Sequence, residues 1–386
     1  MKITSVSTVV VNAQMRNWVF VKVATDEGLV GWGEASMEWK TRSVVGAVAD
    51  LEPLVLGQDP RRIEHIYQIM YRQGFFRPGM VGMSAVSGIE QACWDIYGKS
   101  VGLPVYQLLG GRVRDRIRMY DHLGGGEMSS LYLQDTVEQM TDRARESLAA
   151  GYTALKVLVV PRTEPLEGSA PLRHAERLFG ALREAVGEDI DLMIDFHGRT
   201  TPAMAIQYGQ VLEPFRPLFL EEVCPPENVD GMVEVARALK IPLATGERLV
   251  TRYEFRELLE KRACAVIQPD ICHCGGLWEA RKIAALAETY YVSVAPHNPL
   301  GPIATAVAVQ FGFATPNYLI QEAIRSDVPW RDEVVSEPLI VKDGFIYPSD
   351  KPGLGIEVDE QAAARHPFEQ EVLMSWFHPD GAVADW

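Results

Sequence analysis

The chain has 386 residues, with 52 acidic against 37 basic side chains and a formal charge of −15. That balance argues against a nucleic-acid surface, but leaves room for an anionic ligand, because a bound cation can reverse the local field. No apolar run reaches the ~18 residues of a membrane helix. The opening MKITSVSTVVVNAQ lacks a secretory leader's shape, and five scattered cysteines fit a reduced cytoplasm.

In chain order, residues 1–35 alternate. ITSVSTVVV and WVFVKVATDEGLVGWGEAS predict strands, with Asp26-Glu27-Gly28 as a hairpin turn. Residues 43–73 predict two helices broken near Gly57–Pro60, and SAVSGIEQACWDIYGKS (84–100) predicts a third. This first region, 1–116, is expected to be an α+β cap. IRMYDHLGGG (117–126) reads as a first barrel strand, followed by a charge-rich helix to about Ala150. TALKVLVV (153–160) reads as a second strand carrying Lys156, and the Pro-rich 161–173 as a loop overhanging a barrel mouth.

Six side chains then recur at even intervals: Asp195, Glu221, Glu247, Asp270, His297 and Glu322, with gaps of 26, 26, 23, 27 and 25. Each closes a short apolar run. A strand, a turn, a helix and a return turn take about that many residues, so the spacing predicts a parallel βα array. The expected fold class is α/β: a (β/α)7–8 barrel over 117–325, capped by the N-terminal region and by a returning tail, 326–386. LIVKDGFIYP and GLGIEVDE read as strands in that tail. A barrel brings all its strand ends to one face, where active sites lie.

Three carboxylates at successive strand ends would repel one another without a cation, and hard oxygen ligands favour Mg²⁺ over zinc. Glu222 is the alternative to Glu221, since alternation turns only one inward. Asp270 beside His297 would fix the ring tautomer and make the other nitrogen a better base. His197, two residues past Asp195, could be a ligand, a neutral donor or an acid; acid is preferred. Lys156 is a base if its pKa is lowered, or otherwise the partner of a carboxylate. Glu322 is a polar core residue or a donor to a substrate oxygen. Cys272-His273-Cys274 reads as a loop rather than a zinc site, because its cysteines are spaced too closely. Trp18, the FFRPG segment with Arg77, and the 161–173 loop with Arg162 are the candidates to meet the far end of a substrate.

Around GWGEAS, MSAVSGIEQACWDIYGK, DFHGR, PLFLEE, IPLATGER, QPD and APHNPLGPIA the chain resembles the mandelate racemase subgroup of the enolase superfamily, and within it the galactonate dehydratases. The resemblance runs from end to end. It implies one Mg²⁺ held by Asp195, Glu221 and Glu247, His297 with Asp270 as base, His197 as acid, and Glu322 on the substrate carboxylate. It implies loss of water from an aldonate such as D-galactonate to give a 2-keto-3-deoxy acid. The partners expected are a small acid sugar and further copies of the chain in a homo-oligomer. The K-x-K of relatives with a second base is here Lys156-Val157-Leu158. Val223 stands where the family has proline, and AIRSDVPWRDE after Glu322 also departs. Racemisation or epimerisation at the α-carbon is the alternative chemistry; a silent sugar-acid binding protein is the alternative class.

Overall fold

Strand β1 (Ile3–Ala13) pairs antiparallel with β2 (Arg16–Thr25), and β2 with β3 (Val30–Glu34). Helices Thr41–Val55, Ile63–Arg72 and Gly79–Val101 follow. The long helix lies directly on the sheet, and glycine makes that approach possible. A Cβ on Gly33 would stand 2.0 Å from the Gly88 carbonyl oxygen, and one on Gly31 2.1 Å from that of Ala92. Apolar β2 is therefore buried on nearly every residue. The computed structural model describes residues 1–123, 136–324, 327–371 and 376–385. The end of the first predicted barrel strand (124–126) and positions 325–326 of AIRSDVPWRDE lie outside these.

Eight short parallel strands come next: β4 (Ile117–His122), β5 (Ala154–Val157), β6 (Asp191–Asp195), β7 (Phe219–Glu221), β8 (Leu243–Thr245), β9 (Val266–Ile267), β10 (Ser293–Val294) and β11 (Gln321–Ala323). Each of β4 to β10 pairs with the next in chain order. β11 pairs back onto β4. Val294 of β10 bridges Tyr318, and Leu319 N–H donates to the Val294 carbonyl at 2.7 Å, so the ring closes through one bridge rather than a ladder. Helices alternate with the strands, from Val137–Ala149 to Pro302–Ala314. The helix after β5 begins at Ser169, so the predicted 161–173 loop is shorter than expected. No helix among the described residues is long and apolar enough to cross a membrane.

Tyr120, Ala154, Met193, Phe219, Ala244, Val266, Ala295 and Ile320 form a separate apolar cluster inside the ring, one residue from each strand or its flank. This layer fills the barrel, so the barrel is a packed core and not a pore.

Two buried carboxylates of the N-terminal region hold helix starts of the barrel. Glu34 accepts from Gly301 and Ala304 N–H, both at 2.7 Å, where helix 302–314 begins. Glu90 accepts from Leu277 and Trp278 N–H at 2.8 and 2.9 Å, at the start of helix 277–289. Helix starts leave N–H groups unsatisfied and carry partial positive charge, so each carboxylate satisfies both needs at once. The C-terminal segment packs on both regions. The hairpin β12 (Ile340–Lys342) and β13 (Phe345–Tyr347) pairs with β4. Trp330 stacks on His366 and donates to the Asn12 carbonyl oxygen of β1. GLGIEVDE does not form the predicted strand; it makes two isolated bridges, Gly353 to Pro104 and Val358 to Val335.

Candidate active site

Side chains along a strand alternate, so the residue two beyond each inner apolar residue also faces the barrel axis, one layer nearer the mouth. Adding two to the apolar layer gives His122, Lys156, Asp195, Glu221, Gly246, Gln268, His297 and Glu322. Seven of these eight are polar, and in β8 the left-handed Gly246 (φ 135°) passes the position on to Glu247. The functional ring is thus the second inner layer of the barrel.

Asp195 and Glu221 are register neighbours on β6 and β7. With Glu247 they can each bring one oxygen within 4.8 Å of the others. Lys156, fully buried, lies 3.0 Å from Glu221, 3.4 Å from Asp195 and 2.7 Å from Glu322. Burial raises the Glu221 carboxyl well above its usual range, and Asp195 adds to that. Burial also lifts Glu247, to about 7. Asp195 moves the other way: burial opposes ionisation, but His197 and Lys156 outweigh it. One lysine faces four carboxylates, an excess of negative charge that a divalent cation would neutralise. The triad offers only hard oxygen donors, which fits Mg²⁺-like ions and not zinc. Glu222 (φ 43°) is turned onto Arg248, with contacts at 2.5 and 3.1 Å, which leaves Glu221 as the inward carboxylate.

His297 and Asp270 meet as predicted, Nδ1 to Oδ2 at 2.7 Å. The other Asp270 oxygen accepts from Cys272 N–H, also at 2.7 Å, so the carboxylate is clamped. Nδ1–H donating to Asp270 leaves Nε2 toward the cleft, 3.7 Å from Glu247. Burial disfavours a charged ring here, yet Glu247 and Asp270 raise the His297 pKa well above the ordinary value. His197 stands on the opposite wall: β6 and β10 lie four strands apart in the ring of eight. Its backbone is left-handed (φ 52°) and donates to Asp195 Oδ1 at 2.9 Å, while Nε2 lies 3.2 Å from Oδ2. Such a conformation in a non-glycine residue costs roughly 1–3 kcal/mol and collects at functional sites.

Glu322 stands at the cleft beside Lys156. Burial opposes its ionisation, but Lys156 and His297 bring it down to about 2. Ionised, it can only accept, from Asn298 N–H at 2.7 Å and from Lys156. In this state it holds the lysine. Trp18 is wholly buried in the core, and Arg77 folds over Tyr71; neither lines the cleft. Residues of 161–173, Arg162 included, do not line it either. The cavity of about 350 Å³ is instead walled on the cap side by Met15, Arg16, Met37, Glu38, Trp39 and Met80.

One imidazole escaped the sequence reading, and a second was read only as part of a loop. His122, buried at the end of β4, lies 3.9 Å from Glu322; burial and then Lys156 hold its pKa down to about 3, so it is neutral. The alternation Tyr120, His122 in IRMYDH carries that signal. His273 sits 3.6 Å from Asp270 and 2.9 Å from Ser84 Oγ. ICHCGG is a loop as expected, turning through Gly275 and Gly276 into the next helix.

The enolase C-terminal domain-like family matches residues 139–362, and the mandelate racemase / muconate lactonizing enzyme N-terminal domain matches 2–110. D-galactonate dehydratases of Pectobacterium atrosepticum and Verminephrobacter eiseniae are 39% and 40% identical, over the whole of both chains. A solved enolase from Agrobacterium radiobacter, provisionally assigned as a galactarate dehydratase and holding Na and L-malate, is 34% identical with a TM-score of 0.89, covering all of both chains. An enolase superfamily member from Salmonella Typhimurium is 34% identical with a TM-score of 0.89, over 95% of this chain and 98% of its own. With the acidic triad and the histidine–aspartate pair at the barrel mouth, these likenesses establish that the chain belongs to the mandelate racemase and muconate lactonizing enzyme branch of the enolase superfamily and is a hydro-lyase.

Proposed function

We propose that this chain removes water from an aldonate of five or six carbons, D-galactonate foremost, to give a 2-keto-3-deoxy acid. Asp195, Glu221 and Glu247 would hold one Mg²⁺. When bound, Mg²⁺ supplies Lewis acidity toward the substrate carboxylate, lowering the cost of the charge that develops there. The observation that carries the reading is the placement of two imidazoles on opposite walls of one cleft, beside the acidic triad.

His297 Nε2 takes the proton from carbon 2, and Asp270 stabilises the imidazolium that forms. Negative charge spreads onto the carboxylate oxygens as an enediolate, and the Lys156 ammonium, fixed by Glu221 and Glu322, is placed to meet it. His197 gives a proton to the 3-hydroxyl, the C3–O bond breaks, and water departs. The C2=C3 enol that remains takes a proton at carbon 3 and becomes the ketone. His297 must start neutral, which a cation held by Glu247 would favour by offsetting the charge that raises the ring's pKa, and His197 must start protonated, so a bell-shaped pH–rate profile follows. Racemisation would need a second base at the second strand. Burial lowers a lysine's pKa, but Glu221 and Glu322 outweigh that and keep the Lys156 ammonium charged, which makes it a poor base.

Five free cysteines fit a reducing compartment, and the same reading places a homo-oligomeric enzyme in the cytoplasm. The deciding experiment is a panel of acid sugars incubated with enzyme and Mg²⁺, with 2-keto-3-deoxy product measured by mass. Product from D-galactonate supports the reading. Exchange of the 2-proton with solvent, without loss of water from any sugar, replaces it with the epimerase chemistry.

A further inference from the structure

The far wall of the cleft is electrically balanced. Arg16, the first residue of β2, is 4% exposed and lines the cavity. Its Nη1 is ion-paired with Glu38, which also lines the cavity, and its Nη2 rests 3.1 Å from Met15 Sδ. The second arginine of the cleft, Arg248, is paired with Glu222. The remaining cation, Lys40, sits on exposed chain at the rim, where solvent screens it. Between these groups the cap contributes Met15, Met37 and Met80. Among the described residues, both arginines lining this cavity already have a carboxylate, the buried Arg16 with Glu38 and the exposed Arg248 with Glu222.

An unpaired buried arginine would select a second carboxylate by a two-pronged charge-assisted contact. An arginine neutralised by glutamate cannot. Its spare N–H groups and the glutamate's spare lone pairs suit hydroxyls instead, one as donor and the other as acceptor. A second carboxylate arriving here would also meet the Glu38 charge at close range, and discrimination of that kind works by repulsion as much as by attraction.

We infer that the Arg16–Glu38 pair is a specificity determinant that admits the neutral hydroxymethyl end of an aldonate and rejects the second carboxylate of the matching aldarate. The inference rests on the sugar-acid dehydratase reading above and sharpens it. Galactonate and galactarate share their hydroxyl stereochemistry and differ only at this terminus, so they isolate the effect.

The test compares kcat/KM for the two acids in three proteins: wild type, Glu38→Gln and Arg16→Gln. Affinities are measured in parallel by calorimetry on the His297→Asn background, which removes turnover. Wild type is expected to favour galactonate by roughly 100-fold. Glu38→Gln frees the guanidinium and should shrink that ratio by about tenfold or more, through a gain on galactarate. Arg16→Gln leaves Glu38 uncompensated and should widen the ratio. Equal use of both acids by wild type, or a ratio unmoved in both variants, overturns the inference and leaves the dehydratase reading intact. If wild type binds and dehydrates neither acid, that reading fails and the inference falls with it.

Discussion

Lys156→Met tests the electrostatic design of the site most directly. The substitution keeps an unbranched side chain one atom shorter and removes its charge. The ammonium sits 2.7, 3.0 and 3.4 Å from carboxylates of Glu322, Glu221 and Asp195. At an effective dielectric of about 20, each contact with an ionised partner, Glu322 or Asp195, amounts to roughly 5–6 kcal/mol of attraction. Desolvation of the ions cancels most of that sum, and breaking a buried pair by removing one partner costs about 3–5 kcal/mol net. The variant should therefore lose about 3–5 kcal/mol at pH 7 with chelator present. The pH dependence carries a sign. Glu322, held at about 2 in the fold, contributes stability above its unfolded value, ~4.3, and that contribution fades as pH falls toward about 2. The gap between variant and wild type should thus be widest near neutrality and close in acid. Mg²⁺ should narrow it too, because the more negative site binds the cation more tightly. Urea unfolding followed by tryptophan fluorescence, at pH 3 to 7 with and without chelator, measures all three effects. A variant within about 0.5 kcal/mol of wild type at pH 7 in chelator would refute the account, since that is the size of an ordinary surface change.

Other outcomes follow from the same geometry. Glu221→Gln should abolish measurable Mg²⁺ binding in calorimetry while the far-UV spectrum stays native, because the lost ligand is at the mouth and not in the apolar layer. His297→Asn should stop exchange of the 2-proton with deuterated solvent, whereas His197→Asn should block loss of the 3-hydroxyl but still release fluoride from a 3-fluoro analogue. In chelator, thermal stability should fall as pH rises from ~4.3 through about 7, because burial leaves Glu247 protonated until then; saturating Mg²⁺ should flatten that slope. Glu34→Ala uncovers two buried N–H groups at the start of helix 302–314, and urea unfolding should show a loss of about 2 kcal/mol or more.

The barrel was legible because its period is set by geometry that every unit repeats. A strand, helix and two turns of fixed size leave the same spacing wherever they occur, so Asp195, Glu221 and Glu247 announced their strands. The tail was less legible. GLGIEVDE alternates like a strand, but among the described residues it makes only isolated bridges, Gly353 with Pro104 and Val358 with Val335, and alternation records which side chains are buried without saying what the backbone bonds to. The 161–173 segment misled for a similar reason: proline is tolerated in the first helical turn, and Pro171 lies there, so the helix starts inside a stretch that reads as loop.

The site divides along the same line. Residues whose chemistry depends on their own strand were readable, while those that depend on a partner elsewhere were not. Glu322 illustrates the difference. Its position as a strand end was evident, yet its charge state turns on an ammonium from β5 and an imidazole from the loop after β10. Trp18 was chosen on the correct strand, but it lies further into the sheet and is wholly buried, while Arg16, at the strand's start where the turn from β1 ends, reaches the cavity. His122 was within reach. The inner apolar layer predicts the functional layer two residues on, and a reading that began from Tyr120, Met193 and Phe219 would have arrived at His122 together with Asp195 and Glu221. In a barrel the apolar residues thus locate the catalytic ones, because the packing that closes the floor of the cleft also fixes which side chains stand above it.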